Sequence, residues 1–163
     1  MSTRGAIAIR EGMGGAYFVF YRHHDTYPTC LGVELLGLLS EMREKDEFFR
    51  LEAFKKRISE LGAGEFMGLF SDPEGVFRRQ GDLEWIYLVD LMDKDHTSLA
   101  IFRTSNPWLE SRMTWRVWSS FLKYLPKNVE GEMQQVENVA DSIIQALAQF
   151  EKRILEKINP PVT

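Results

Sequence analysis

Eight consecutive residues, His23-His24-Asp25-Thr26-Tyr27-Pro28-Thr29-Cys30, bring together two imidazoles, a carboxylate, a phenol and the only thiol of the chain. A carboxylate two residues from an imidazole can orient it and raise its pKa toward that of a general base. A thiol in the first turn of a helix is acidified by the free N–H groups and the helix dipole. Cys30 with His23 is therefore a candidate nucleophile–base pair for a small hydrolase. Each residue also has a plain structural reading. Asp25 ahead of Thr-Tyr-Pro suits a turn closed by its own side chain, and a lone cysteine packs well as a small apolar group. A metal site is not expected, because His23 and Asp25 supply two ligands and His96 could join only through folding. Ser2 is a second candidate nucleophile. Removal of Met1 would leave its amine free to act as the base for its own hydroxyl, and an ordinary translation start is the competing reading. The catalytic candidates are thus Ser2, Cys30 and His23, and the balance leans away from an enzyme.

The elements around this run follow from hydrophobic spacing. Thr3 to Glu11 and Ala16 to Arg22 read as two strands joined by the turn Gly12-Met13-Gly14-Gly15, which gives a β-hairpin. The His23–Cys30 run lies where the second strand ends and a helix begins. Pro28 sets up that helix, with Thr29 as its expected N-cap, and Leu31, Leu35, Leu38 and Met42 carry it to about Glu44. A second helix is expected from about Asp46 to Leu61. Residues 62 to 82 hold five glycines and Ser71-Asp72-Pro73-Glu74-Gly75, so a loop is expected there. Leu83 to Met92 and Thr97 to Arg103 form a second hairpin across Asp93–His96. Asn106-Pro107 opens an expected helix from Trp108 to about Leu125, although Thr114, Val117 and two tryptophans between Met113 and Trp118 also fit a strand.

The final element has the most regular pattern. Val129, Met133, Val136, Ala140, Ile143, Leu147, Phe150 and Ile154 are spaced alternately by four and three residues, an unbroken heptad seam. A helix from Val129 to Ile158 would be about 45 Å long, against a radius of gyration of about 15 Å for a domain of this size. It must either span the domain or overhang it. The expected fold is α+β: an antiparallel sheet of two or more β-hairpins, helices packed on one face, and a long C-terminal helix. Residues 1–128 form the core domain. Residues 129–158 form a helix that packs on that core, pairs with another subunit, or does both.

Composition narrows the function. At 163 residues and 44% hydrophobic content the chain suits one folded domain. Its net charge of −4 argues against a nucleic-acid binder. One cysteine excludes an internal disulfide framework and fits a reducing cytoplasm. No apolar run reaches the roughly 18 residues that cross a bilayer. Arg4, Arg10, Arg22 and Arg103 lie on or beside expected strands. Clustered, they would hold a phosphate or carboxylate; dispersed, they lie in solvent at strand ends. Arg78-Arg79 reads as a solvated loop, and Trp108, Trp115 and Trp118 as core or interface. No phosphate-binding glycine motif or metal-protease motif is present, and no cofactor is expected.

Two separated pieces carry a resemblance. Met1-x-Thr3-Arg4 opens the first strand, and His23-x-Asp25-Thr26-Tyr27-Pro28 follows the second, with Gly32 beyond. Together they resemble small, mostly uncharacterised proteins of phages and bacterial mobile elements that open M-x-T-R and carry H-x-D-G-Y-P. The likeness covers about the first 40 residues. Thr26 stands where the pattern has glycine, so the turn cannot rely on a glycine's positive φ, and Cys30 is not part of the pattern. The resemblance implies Thr3, Arg4, His23, Asp25, Tyr27 and Pro28 as a shared set and brings no reaction with it. The expected function is a small cytoplasmic binding protein. It would act on a host protein or sequester a small anionic or nucleotide ligand through Thr3, Arg4, His23, Asp25 and Tyr27. The alternatives are the small hydrolase and a structural oligomer, such as a homodimer through the heptad helix.

Overall fold

The computed structural model describes residues 3–12, 14–47, 50–72, 75–76, 82–104 and 114–159. Strands β1 (Gly5–Glu11) and β2 (Tyr17–Arg22) form the first hairpin; β4 (Trp85–Leu91) and β5 (Ser98–Thr104) form the second. Between the hairpins lie a π-helical turn (Pro28–Gly32), α1 (Val33–Glu44), α2 (Leu51–Ser59) and β3 (Glu65–Phe70). β6 (Thr114–Phe121), a 3₁₀ turn (Leu122–Tyr124) and α3 (Val129–Ile158) complete the order. The six strands make one sheet in the order β3-β2-β1-β4-β5-β6. Only β1 and β4 run parallel, Gly5 to Glu11 against Trp85 to Leu91. The long crossover from β2 to β4 makes that pairing, and it carries α1 and α2 onto one face of the sheet. The fold class is α+β, as expected from the sequence.

Each strand's alternation separates two apolar layers. Ile7, Ile9, Phe20, Trp85, Tyr87, Val89, Leu99 and Ile101 face the helices and meet Leu31, Leu35, Leu39, Met42, Phe54, Ile58, Met133 and Val136. Complete burial of a side chain such as Phe54 contributes roughly 1.5–3 kcal/mol each time. Across the sheet, Ala6, Ala8, Tyr17, Val19, Tyr21, Ile86, Leu88 and Ala100 form the second layer, on which Val76 and Leu83 pack. β4 is buried on both faces because it is central and has helices on one side and this second layer on the other.

Two expectations need correction. The expected loop 62–82 contains strand β3, which pairs with β2 along the edge of the sheet. Its glycines concealed it: Gly68 takes φ +131° at a register shift opposite Val19 and Phe20, a bulge that only glycine enters without strain. The expected helix from Trp108 to Leu125 is instead strand β6 from Thr114 onward, paired with β5 from Ser98↔Phe121 to Thr104↔Thr114. The β-branched and aromatic residues there fit a pleated surface better than a helix. The Asn106-Pro107 helix start and Trp108 lie outside the described residues, as do Ser2, Arg78 and Arg79.

Candidate functional site

The His23–Cys30 run occupies a corner at the sheet end where β2 and β5 finish and β1 and β4 begin. Asp25 adopts φ +55°, so the left-handed residue falls one position before the threonine that replaces glycine. Aspartate tolerates this conformation better than most residues. Thr26 is completely buried beneath Gly5, and its carbonyl accepts a 2.5 Å hydrogen bond from the Tyr87 hydroxyl at the centre of the core. Burial raises the Tyr87 pKa well above the usual phenol value, and the negative charge of Glu137 adds to it. The expected N-cap at Thr29 is absent. The turn begins after Tyr27 without a side-chain cap, and the Thr29 amide and hydroxyl instead donate to Glu137 Oε1 of α3, at 2.8 and 2.5 Å.

Two arginines of the corner are engaged as well. Arg22 donates to the His24 carbonyl, to Glu34 at the start of α1 and to the Leu61 carbonyl just beyond α2, which ties three elements together. Arg4 pairs with Asp82. His23 is exposed, sits edge-on to Tyr21 at 4.5 Å and reaches Glu65 of β3 at 3.5 Å. No hydrogen bond joins His23 to Cys30 among the described residues. The Cys30 amide donates to the Tyr27 carbonyl, and Cys30 is half-buried. Thr3 is buried with its hydroxyl unpartnered, and Tyr27 is partly exposed. The structure thus brings His23, Asp25 and Tyr27 to one corner, all three exposed. His96 lies at the opposite end of the sheet, against Asp93 at 2.7 Å, where its hydrogen bond holds the Asp93 carboxylate below its ordinary pKa.

The four strand arginines are dispersed rather than clustered. Arg103 spreads over the Trp85 ring at 5.3 Å on the helix face and donates to the Glu84 carbonyl. Arg10 is at the other end and on the other face. There the pairing register stacks three cross-strand rows. The first runs Arg10–Asp90–Ser98–Phe121, the second Ala8–Leu88–Ala100–Ser119, and the third Ala6–Ile86–Phe102–Arg116. The middle row is small on β5 and β6, so larger neighbours above and below enclose a recess of about 550 Å³ over Ala100. Tyr17, Leu99, Thr114 and Ser120 complete its lining. Recesses of this size accept small organic ligands.

The recess has a defined polarity. Arg10 Nε bonds Asp90 at 3.0 Å, and its guanidinium stacks on the Tyr17 ring at 4.6 Å, so it is fixed in place. Burial holds the Tyr17 hydroxyl protonated beyond the ordinary phenol range, with the Asp90 charge as the next cause. Arg116 lies over the Phe102 ring at 5.6 Å and makes no ion pair among the described residues. The Ser98 and Ser119 hydroxyls stand between the two guanidiniums along β5 and β6. Sequence reading picks out Arg10 but misses Arg116, Ser119 and Tyr17. The signal was the alternation Thr114, Arg116, Ser119, Phe121, which becomes one face once 114–121 is a strand with a bulge. Compared with family models, curated proteins and solved structures, the chain matches none.

Proposed function

We propose that this is a non-catalytic binding protein for a small anion bearing a planar ring, held in the recess on the sheet face opposite the helices. One observation carries the reading. Arg116 is a guanidinium without a carboxylate partner among the described residues, lining a recess whose other walls combine aromatic rings, serine hydroxyls, aliphatic side chains and the Arg10–Asp90 pair. Arg116 would take the phosphate or carboxylate, since a guanidinium offers paired donors to either. Phe102, Phe121 and Tyr17 supply apolar surface for the ring, and Ser98 and Ser119 supply hydrogen bonds that fix its orientation. Asp90 opposes a second anion at Arg10, which favours a singly anchored ligand over a dianion spanning both arginines. Among the described residues no serine hydroxyl of the recess is hydrogen-bonded to a carboxylate or an imidazole, Ser98 beside Asp90 included, and on that ground binding is favoured over turnover. The resemblance of Met1 to Pro28 to phage and mobile-element proteins fits such a role.

Calorimetric titration with AMP, adenosine and inorganic phosphate tests this reading. AMP is expected to bind more tightly than either fragment, and Arg116→Ala to weaken it at least tenfold, the loss of about 1.4 kcal/mol or more. Arg4→Ala and His23→Ala are expected to leave AMP affinity unchanged. Loss of binding in those two variants with retention in Arg116→Ala would move the site to the corner. Absence of AMP binding at millimolar concentration would overturn the reading.

A further inference from the structure

We infer that α3 pairs antiparallel with α3 of a second copy of this chain through its outer half. The heptad seam runs unbroken from Val129 to Ile154, but the chain's own described core covers only its beginning. Met133, Val136 and Ala140 are the buried residues of the helix. Beyond Ala140 the apolar residues continue at the same spacing while exposure rises, reaching 60% at Phe150 and 67% at Ile158. Ile154 and Leu155 are exposed as well. A seam needed only to cover the sheet would turn polar after Ala140. Instead, some 18 residues, about 27 Å of helix, retain an apolar stripe of the kind that marks an interaction surface.

The occupant follows from the charges and the shape. Residues 129–141 carry four acidic side chains, Glu130, Glu132, Glu137 and Asp141, and no Lys or Arg. Residues 142–158 carry Lys152, Arg153 and Lys157 against Glu151 and Glu156. A parallel pair would set the basic ends side by side. An antiparallel pair sets residues 151–158 of each helix, with three basic and two acidic side chains, against residues 139–146 of the other, whose only charged side chain is Asp141, and opposes the two helix dipoles favourably. With Leu147 facing the partner's Phe150, Ile143 faces the partner's Ile154, so every seam position of the outer half meets an apolar residue. Ser142 and Ala146 leave a shallow groove beside Val139 and Ile143, and in this register the groove lies level with the partner's Ile154, Leu155 and Ile158. The symmetry makes the surface self-complementary, as a twofold dimer requires.

Sedimentation and light scattering on the full chain, with cysteine cross-linking, test the pairing. The wild type is expected to be a dimer at micromolar concentration, and Phe150→Glu a monomer with unchanged circular dichroism, since Phe150 lies outside the core. In a Cys30→Ser background, Ile143→Cys mixed with Ile154→Cys is expected to form a disulfide heterodimer. Ile154→Cys alone is not, because antiparallel pairing holds the two copies of position 154 about 16 Å apart and a disulfide needs Cα atoms within about 7 Å. A monomeric wild type at the highest soluble concentration, a dimer that survives Phe150→Glu, or ready self-cross-linking of Ile154→Cys would each overturn the inference.

Discussion

The two ends of the sheet use the same residue types differently. At the corner, every arginine on or beside the strands meets a carboxylate or a carbonyl that belongs to another element. Arg22 meets Glu34 and the Leu61 carbonyl, Arg4 meets Asp82, and Arg103 meets the Glu84 carbonyl. At the recess, Arg10 is held by Asp90, but Arg116 rests on a ring with no carboxylate among the described residues. A polar group satisfied by its own fold stabilises that fold. One left facing a cavity is available to a ligand. Within His23–Cys30, the Thr29 amide and hydroxyl and the Thr26 carbonyl are taken up in joining the turn to α3 and β4, while His23, His24, Asp25 and Tyr27 remain exposed.

That contrast breaks if corner substitutions leave stability untouched. The largest expected effect is Glu137→Ala. It removes the acceptor for both the Thr29 amide and hydroxyl and so detaches α3 from the turn. Loss of two bonds to a half-buried carboxylate should cost about 2 kcal/mol, a fall in Tm of roughly 4–8 °C at this chain length, read by calorimetry. A shift below a degree would show that α3 holds the corner by apolar packing alone.

Next comes Tyr87→Phe, expected to cost about 1–2 kcal/mol because the Thr26 carbonyl is left buried without its donor. The same group sets a pH dependence. Its folded pKa is raised, so the neutral phenol is the form the fold favours. Its contribution is complete below the unfolded phenol pKa, near 10, and is lost as pH climbs from there toward the folded value. The wild type should lose stability above about pH 10, and its slowest-ionising tyrosine should titrate at 295 nm only together with unfolding. Tyr87→Phe should remove that component of the alkaline loss. An unchanged profile would assign it to other tyrosines.

Much of this arrangement was legible in the sequence, for physical reasons. Two hairpins and a long helix were readable because strong alternation and an unbroken heptad each admit one period. β3 was not, since a glycine-rich edge strand with a bulge reads locally as turns, and its partner β2 lies over 40 residues earlier in the chain. β6 was not, because Trp115 and Trp118 sit three apart, which imitates a helix; the bulge between Ile101 and Phe102 shifts the strand's alternation and sustains the imitation. The site followed the same logic. A run such as His23–Cys30 is visible because its groups are adjacent in sequence. The recess is assembled from residues scattered over five strands, and Arg116 joins Ser98 only through the β5–β6 register. The joint at Glu137 spans 108 residues and has no local trace.

The smallest effects are expected at the recess, and a pair of variants there sharpens the comparison within one cavity. Arg10→Ala leaves the Asp90 carboxylate without its cation and removes the guanidinium stacked on Tyr17. Both Arg10 and Asp90 are about one-fifth exposed, so solvent screens part of the loss, and a cost of about 1 kcal/mol is expected. Arg116→Ala leaves no described carboxylate behind. Only its contact with the Phe102 ring is lost, and an exposed cation–π contact is worth about 0.5 kcal/mol. Equilibrium urea unfolding of both variants should therefore rank Arg10→Ala below Arg116→Ala in stability, while AMP titration ranks them in the opposite order of damage. The inversion is the test. A residue that serves the fold loses stability when removed, and one that serves a ligand loses affinity. If both variants lose stability equally and neither affects AMP, the recess is a surface feature of β6 packing and Arg116 is a structural residue like Arg22.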